Sequence, residues 1–299
     1  MNTGSADWLN RGRGHAPRLG WSFATDAPLV SLKLARESGD VCLADANGDI
    51  YLLDRNGDIV SRSREPVAAR IVACSDSGDV IAALCGEQSL CWFNRDLVLL
   101  GKTNLAISTR SLAIEAYGQY AAVSADDCTT TIYDVHRRRL RDFVTPQPLI
   151  ALEFVVSEPA IIGVAEYGML YSHNFAGEPQ WQEKLWGNVG DMAITGNASM
   201  ILLASFIHGI QCHNNSGGHL GSFQISGTVN RVSCSYQPRS IAASTLEREF
   251  FWLRSDGLVE WQAPLPDDVC ALRCDPTGTA AYCGFRSGEV VRLDWNAGL

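Results

Sequence analysis

The densest group of potential metal ligands lies between residues 208 and 219. It consists of three histidines and one cysteine, namely His208, Cys212, His213 and His219. Imidazole and thiolate groups bind zinc, but a structural zinc site needs four ligands. Cys212 and His213 are consecutive on a predicted strand and point to opposite faces, so at most two imidazoles converge. The cluster therefore predicts no metal site.

Two short segments offer oxygen ligands of the kind that calcium prefers. Residues 45–49 and 54–58 both read Asp-x-Asn-Gly-Asp, which resembles the first half of an EF-hand loop. Neither is completed by a glutamate at the twelfth position. The two segments lie at opposite ends of one predicted strand and cannot share an ion. Asn-Gly also favours hairpin turns with positive φ, so we interpret both as turns and expect no metal.

Four arginines are concentrated in one predicted hairpin, namely Arg137, Arg138, Arg139 and Arg141. Such a run can contact the phosphates of a nucleic acid or an acidic partner. The formal net charge of −9 disfavours a general nucleic-acid binder, because such proteins usually carry a basic face. We interpret the run as a solvated turn, with contact to an acidic partner as the alternative.

No arrangement of nucleophile, base and acid can be recognised in the sequence. The chain has six histidines, and none lies in a known nucleophile motif. These observations favour a protein that is not an enzyme, although they leave an enzymatic function open.

A repeat of forty residues organises the elements that must position these groups. Apolar residues recur at this interval without a break, namely Leu32, Val72, Leu112, Leu152, Met192, Val232 and Leu272. Repeats of about 40 residues with strand-like content are typical of β-propellers, which have one four-stranded blade per repeat. The sequence therefore predicts an all-β fold, a seven-bladed β-propeller of four-stranded antiparallel blades.

Each repeat divides into four short strands, A to D from the propeller axis outward. In the first blade we predict them at residues 29–35, 40–44, 49–54 and 59–63. The last repeat supplies only three strands, so we expect residues 19–23 to complete it and close the ring. The predicted domains are a flexible amino-terminal arm over residues 1–18 and a single propeller over residues 19–299.

Two repeat families are similar to parts of these blades. Strand C often ends in an apolar–Asp step, as in WD40 repeats, at Leu53-Asp54, Tyr133-Asp134 and Leu293-Asp294. The outer hairpin resembles the quinoprotein-like (PQQ-type) repeat at residues 174–181 and 254–261. In both segments the fourth residue is glycine and the eighth is tryptophan. These resemblances imply a seven-bladed propeller. Quinoprotein dehydrogenases are exported eight-bladed enzymes with a vicinal disulfide, and this chain has no Cys-Cys pair, so no cofactor is expected.

The ten cysteines indicate a reducing compartment rather than a disulfide framework. Cys74, Cys234 and Cys274 share one repeat position with Leu34 and Ile114, as small core residues would. No run of eighteen apolar residues occurs, and the amino terminus has no apolar core of a signal peptide. We therefore expect a cytoplasmic protein with no membrane span.

Apolar residues in the predicted loops indicate a contact surface. The B–C loops and the D–A crossings should emerge on one rim of the ring, and they carry Tyr167, Trp186, Phe206, Ile207, Leu246 and Phe285. Clustered apolar loop residues often mark an interface. We predict a non-enzymatic scaffold or interaction module that binds another protein. The partner could also be part of a larger complex. Alternatively, the same side chains fold inward and cap the blades.

Charged residues on strand A suggest a second function. They should lie near the central channel, and they are Lys33, Arg70, Arg110, Glu153 and Arg273. Such a set could bind an anionic ligand at the channel mouth, as in a small-molecule-binding or enzymatic propeller, or it could solvate a water-filled channel.

Overall fold

The computed structural model describes residues 7–295 of the chain, and this part is built almost entirely of β-strands. The strands form seven antiparallel sheets arranged as the blades of a β-propeller. Strand A lines the central channel, and strands B, C and D follow outward. The predicted fold class is confirmed. In the first blade every strand begins and ends within one residue of its predicted bounds.

The first four blades follow one another without interruption. Their strands, A to D, are Leu29–Leu34, Val41–Asp45, Asp49–Leu53 and Ile59–Arg64 in blade 1, Ala69–Cys74, Ile81–Cys85, Ser89–Phe93 and Leu99–Asn104 in blade 2, Thr109–Ile114, Tyr120–Ala125, Thr129–Asp134 and Arg139–Val144 in blade 3, and Leu149–Phe154, Ala160–Ala165, Met169–Asn174 and Pro179–Lys184 in blade 4.

The last three blades include the closing blade, whose outermost strand comes from the start of the chain. Their strands, A to D, are Val189–Ile194, Ile201–Ser205, Gly209–His213 and His219–Phe223 in blade 5, Val229–Cys234, Ser240–Thr245, Glu249–Arg254 and Val259–Pro264 in blade 6, and Val269–Cys274, Ala280–Phe285, Glu289–Asp294 and Arg18–Ala24 in blade 7.

The hydrophobic core lies between neighbouring blades rather than at one centre. Strand B is buried along almost its whole length in every blade, because both of its faces are covered. One cluster joins Ile50 and Leu52 of blade 1 to Val72 and Ile81 of blade 2. Each blade therefore depends on its neighbours for burial, as stacked repeats do.

Ring closure joins the two ends of the described chain. Arg18–Ala24 pairs antiparallel with Glu289–Asp294 and completes blade 7. Trp21 packs against Tyr282 of the same blade, with ring centroids 5.9 Å apart. Phe23 packs against Tyr51 of blade 1 at 5.5 Å. The closing strand thus belongs to the blade 7–blade 1 contact as well as to its own sheet.

The expected flexible arm is packed over its described part. A short 3₁₀ helix, Leu9–Arg11, is followed by the strand Arg13–Gly14, which pairs with strand D of blade 6. Trp8 is only 5% exposed and contacts the rings of Trp261 and Phe285. Burial of Trp8 and Leu9 in the groove between blades 6 and 7 holds this segment in place. Residues 1–6 of the expected arm and residues 296–299 of the expected propeller domain lie outside the described residues.

The B–C loops and the D–A crossings lie together on one face of the disc, which we call the rim face. In six blades the first amide of the B–C loop donates a hydrogen bond to a carbonyl of the preceding D–A crossing. Asp126 bonds Ser108 at 2.9 Å in this way, and Leu246 bonds Thr228 at 2.9 Å. These bonds fix the loops to one another. The A–B and C–D hairpins form the opposite face.

Candidate functional site

Five of the six predicted rim residues are exposed together on blades 4 to 6. Their exposed fractions are 66% for Tyr167, 68% for Trp186, 37% for Phe206, 74% for Ile207 and 59% for Leu246. We call these five residues the apolar sector. Exposed large apolar side chains are more often scattered than grouped on consecutive blades, so the apolar sector is the candidate site.

A depression of about 480 Å³ lies beside the apolar sector, at the rim-face end of the central channel. Its lining includes the apolar residues Phe206 and Leu246 and the cations Arg231 and Arg286. Asp268 also lines it and forms an ion pair with Arg248 at 2.8 Å. The depression therefore offers both apolar area and hydrogen-bond donors.

The Phe206 side chain covers part of the neighbouring backbone and is partly exposed to solvent. Its ring lies over the backbone of Gly190, where a β-carbon would be only 2.7 Å from a ring atom. The lack of a side chain at Gly190 therefore lets the ring turn inward. Inward capping, the alternative noted from the sequence, holds for part of Phe206, whereas Tyr167, Trp186, Ile207 and Leu246 project into solvent.

Phe285 does not belong to the rim. Its side chain is fully buried, and the Trp8 ring lies edge-on to it at 6.2 Å. We predicted Phe285 to be a rim residue because it was placed in the B–C loop, but it is the last residue of strand B in blade 7 and is equivalent to Thr245 and Ser205, which are also buried. Trp8 packs against it from outside the repeats.

The histidine cluster surrounds Trp186 rather than a metal position. Nε2 of His208 lies 3.3 Å from the Trp186 carbonyl oxygen, and the Trp186 ring is 4.8 Å from that of His219. Nδ1 of buried His213 donates to the Gly217 carbonyl at 2.9 Å. Across residues 7–295, no group of three or more His, Cys, Asp or Glu side chains is placed to hold a metal ion.

Three of the five predicted channel residues come together inside the channel. Lys33 of blade 1 reaches Glu153 of blade 4, with Nζ and Oε1 2.8 Å apart, and Arg273 lines the same small cavity. Burial alone would raise the pKa of Glu153, but Lys33, Arg36 and Arg273 outweigh burial and lower it. The carboxylate is therefore charged at neutral pH.

Arg70 and Arg110 are separated from that group and lie at the rim-face end of the channel. Arg70 donates to the Gly86 carbonyl and, at 3.1 Å, to Thr109, while Arg110 pairs with Asp126. Both are the second residue of strand A, whereas Lys33, Glu153 and Arg273 are the fifth. The pairing of strand A with strand B shifts register after the first residue of each strand A. The second residue therefore has no paired residue on strand B.

Four further charged groups of the channel were missed at the sequence level, namely Arg36, Asp76, Asp191 and Arg231. Arg36 follows strand A of blade 1 and pairs with Asp76 at 2.9 Å. Arg231 is the third residue of strand A of blade 6, and its Nε donates to the Cys270 carbonyl at 2.9 Å. A full list of the charged residues on strand A would have included Asp191 and Arg231, whereas Arg36 and Asp76 follow their strands and gave no such signal.

The basic hairpin is largely neutralised by its own surroundings. Arg138 forms an ion pair with Asp134 at 2.6 Å, and Arg139 forms one with Asp142 at 2.5 Å. Arg137 lies against Gly101 of blade 2, and Arg141 donates to the Leu140 carbonyl. This arrangement favours a solvated turn over a concentrated phosphate-binding patch.

Comparison of the sequence with known proteins does not assign the chain to a family. No protein-family model matches the chain, and no curated protein is similar enough to it to indicate a relationship. The fold is therefore established as a seven-bladed β-propeller, and its function has to be inferred from its own surfaces.

Proposed function

We propose that this propeller is a non-enzymatic interaction module that binds another protein through the apolar sector of its rim face. The observation that carries the proposal is the exposure of Tyr167, Trp186, Ile207 and Leu246, each more than half exposed. Full burial of one such side chain is worth about 1.5–3 kcal/mol. Large aromatic side chains are also where the binding energy of interfaces tends to concentrate.

The fixed geometry of the rim loops supports this role. The amide of Phe206 donates to the Asn188 carbonyl at 3.2 Å, and that of Leu246 donates to Thr228 at 2.9 Å. Loops that are already held in place lose little conformational freedom on binding. The apolar sector can therefore bind a partner with a small ordering cost.

Acidic side chains around the apolar sector favour a partner with basic margins. Among residues 7–295, three acidic residues of the rim loops at blades 4 and 6 form no ion pair, namely Glu166, Glu247 and Asp267. Complementary charge at the edge of an interface speeds association and fixes orientation. The proposed partner surface has an apolar centre flanked by lysine or arginine.

The proposed compartment is the cytoplasm. All ten cysteines are free thiols, which a reducing compartment preserves. Within residues 7–295, no helix is long and apolar enough to cross a membrane.

The test compares two matched tyrosines on opposite faces. Tyr167 lies on the rim face and is 66% exposed, and Tyr117 lies on the opposite face and is 72% exposed. We expect full-length Tyr167→Asp, Ile207→Asp protein to keep the wild-type melting temperature and to lose its stoichiometric partner from the source cell, with affinity about tenfold or more weaker. The Tyr117→Asp protein should keep both the wild-type melting temperature and the partner.

The proposal fails if the rim variant retains the partner, or if Tyr117→Asp loses it equally. Failure of the wild-type protein to form any stoichiometric complex would also count against it. A rim variant that unfolds would identify these side chains as caps, and hydrogen exchange of the wild-type complex would then decide whether the rim loops are protected.

A further inference from the structure

One layer of the central channel combines small residues with charged ones. It is formed by the fifth residue of each strand A, in order Lys33, Ala73, Ala113, Glu153, Ala193, Ser233 and Arg273. The small side chains leave space between the charged ones. A cavity of about 40 Å³ remains there, and Lys33, Glu153, Ser233 and Arg273 all line it.

Several hydrogen-bond donors of this cavity have spare capacity. Nε of Arg273 is buried and has no acceptor among residues 7–295, whereas its Nη1 donates to the Leu272 carbonyl at 2.7 Å. Oγ of Ser233 accepts the Cys274 amide at 2.8 Å, which leaves its own proton without an acceptor in the described chain. The Lys33 ammonium has three protons and donates one to Glu153.

The channel interior also has more cations than carboxylates. The cavity itself is lined by three cations, Lys33, Arg36 and Arg273, and by one carboxylate, Glu153. Outside that lining, Asp76 pairs with Arg36, and the charge of Arg231 acts on Asp191. Burial raises the pKa of Asp191, although Arg231 and Arg273 act in the opposite direction. Isolated buried charge is costly, so an excess cation in this channel favours the uptake of an anion.

We propose that this cavity binds one small inorganic anion of the size of chloride, held by Arg273 Nε, the Ser233 hydroxyl and the Lys33 ammonium. A water molecule needs about 10–15 Å³ of such space, so about 40 Å³ holds a monatomic ion and is too small for an organic ligand. The site is separate from the rim face, and its test does not depend on any partner protein.

Thermal unfolding in sodium chloride and in sodium gluconate tests the site directly. Gluconate is too large for the cavity, and matched ionic strength makes the screening of surface charges equal. Chloride should raise the melting temperature by about 2–4 °C in a saturable way, because it binds only the folded state. Equal melting temperatures in the two salts would mean that water satisfies these donors, and the proposal would fail.

Two channel variants should change the chloride response in opposite directions. Arg273→Gln removes a cation and its Nε donor, and the concentration for half-saturation should rise about tenfold or more. Glu153→Gln frees the Lys33 ammonium from its carboxylate, and half-saturation should fall. Arg110→Gln, which alters an arginine paired with Asp126 at the channel mouth, is the control and should leave the response unchanged.

A third variant and a crystallographic measurement cover the case in which Arg273→Gln does not fold. Ser233→Ala removes a single neutral donor and should weaken the chloride response by a smaller factor. Crystals grown in sodium bromide should show an anomalous peak within hydrogen-bond distance of Arg273 Nε and Ser233 Oγ. A bromide peak only elsewhere, or an unchanged chloride response in all channel variants, would overturn the proposal.

Discussion

At the residue scale, burial keeps two histidines neutral in the folded protein. His173 stacks on Phe143 with ring centroids 4.0 Å apart, and burial lowers its pKa below the ordinary 6.5. Burial also lowers the pKa of His213, although its bond to the Gly217 carbonyl acts in the opposite direction. Both rings therefore resist protonation as long as the propeller stays folded.

This resistance predicts a loss of stability in mild acid. The unfolded chain protonates these histidines near pH 6.5, whereas the folded chain does so only at lower pH. The two histidines therefore do not affect the free energy of unfolding above about pH 6.5. They lower it increasingly as the pH falls towards their folded-state pKa. The melting temperature should fall between pH 7 and pH 5, and His173→Phe, His213→Asn should reduce that fall.

The control for this prediction is His136→Gln, which alters an exposed histidine of the C–D hairpin in blade 3. It should leave the pH dependence as in the wild type. A double variant whose melting temperature follows the wild-type pH curve would show that other groups cause the acid sensitivity.

At the element scale, the segment before the repeats acts as an additional packing element. Trp8 fills the groove between blades 6 and 7, and Arg13–Gly14 extends the sheet of blade 6 by one short strand. This segment has no counterpart in the repeats from which its position could be predicted, since its contacts Trp261 and Phe285 are more than 250 residues away. Its composition alone resembled a solvated arm.

Two truncations should separate the packing segment from the closing strand. A chain that begins at Arg18 loses the contacts of Trp8 but keeps the strand Arg18–Ala24, so it should fold with a lower melting temperature. A chain that begins at Asp26 also exposes the edge of Glu289–Asp294 and should aggregate. Differential scanning calorimetry and size-exclusion chromatography measure both outcomes.

Trp8→Ala in the full chain is the matched variant for the shorter truncation. It should reproduce most of the loss of melting temperature, because the indole contributes the largest buried apolar area of the segment. Equal melting temperatures for the full chain and the chain that begins at Asp26 would contradict the role of the closing strand.

At the scale of the whole molecule, the forty-residue register was sufficient to predict the blades. Positions such as Leu32 and Val72 must all be apolar, because each blade buries them against its neighbour. The exact ends of the strands were harder to predict, since Phe285 is the last, buried residue of its strand B whereas Leu246 is the first residue after the equivalent strand and is exposed. Arg70 and Arg110 lie three positions before Lys33 in the repeat, so comparison of repeat positions separates the two groups, whereas their shared placement on strand A did not.

Because most of the thiols are buried, we predict that one cysteine reacts rapidly with a thiol reagent in the folded protein. Cys128 lies in a B–C loop and is partly exposed, whereas Cys85, the last residue of strand B in blade 2, is buried. Burial raises the pKa of Cys234 to about 12 and that of Cys270 to about 11, so the reactive thiolate is scarce at both. Native protein should react rapidly only at Cys128 with a thiol reagent, and unfolded protein should react at all ten cysteines.

Mass spectrometry of the labelled peptides checks this prediction. Cys128→Ser should remove the rapid phase and leave the melting temperature unchanged. Rapid labelling of Cys42 or Cys283 in native protein, or native disulfides, would contradict the burial of these thiols and the proposed reducing compartment.

The pairing of Arg18–Ala24 with Glu289–Asp294 has a consequence for the newly made chain. The first of these strands is translated about 270 residues before its pairing partner. At about 5–20 residues per second, roughly 15–55 s separate the two. During that interval Trp21 and Phe23 have no sheet to join, and the finished blades stand as an open array. The nascent protein is therefore more vulnerable to aggregation than the closed ring, and slower translation of its final blade would prolong that exposure.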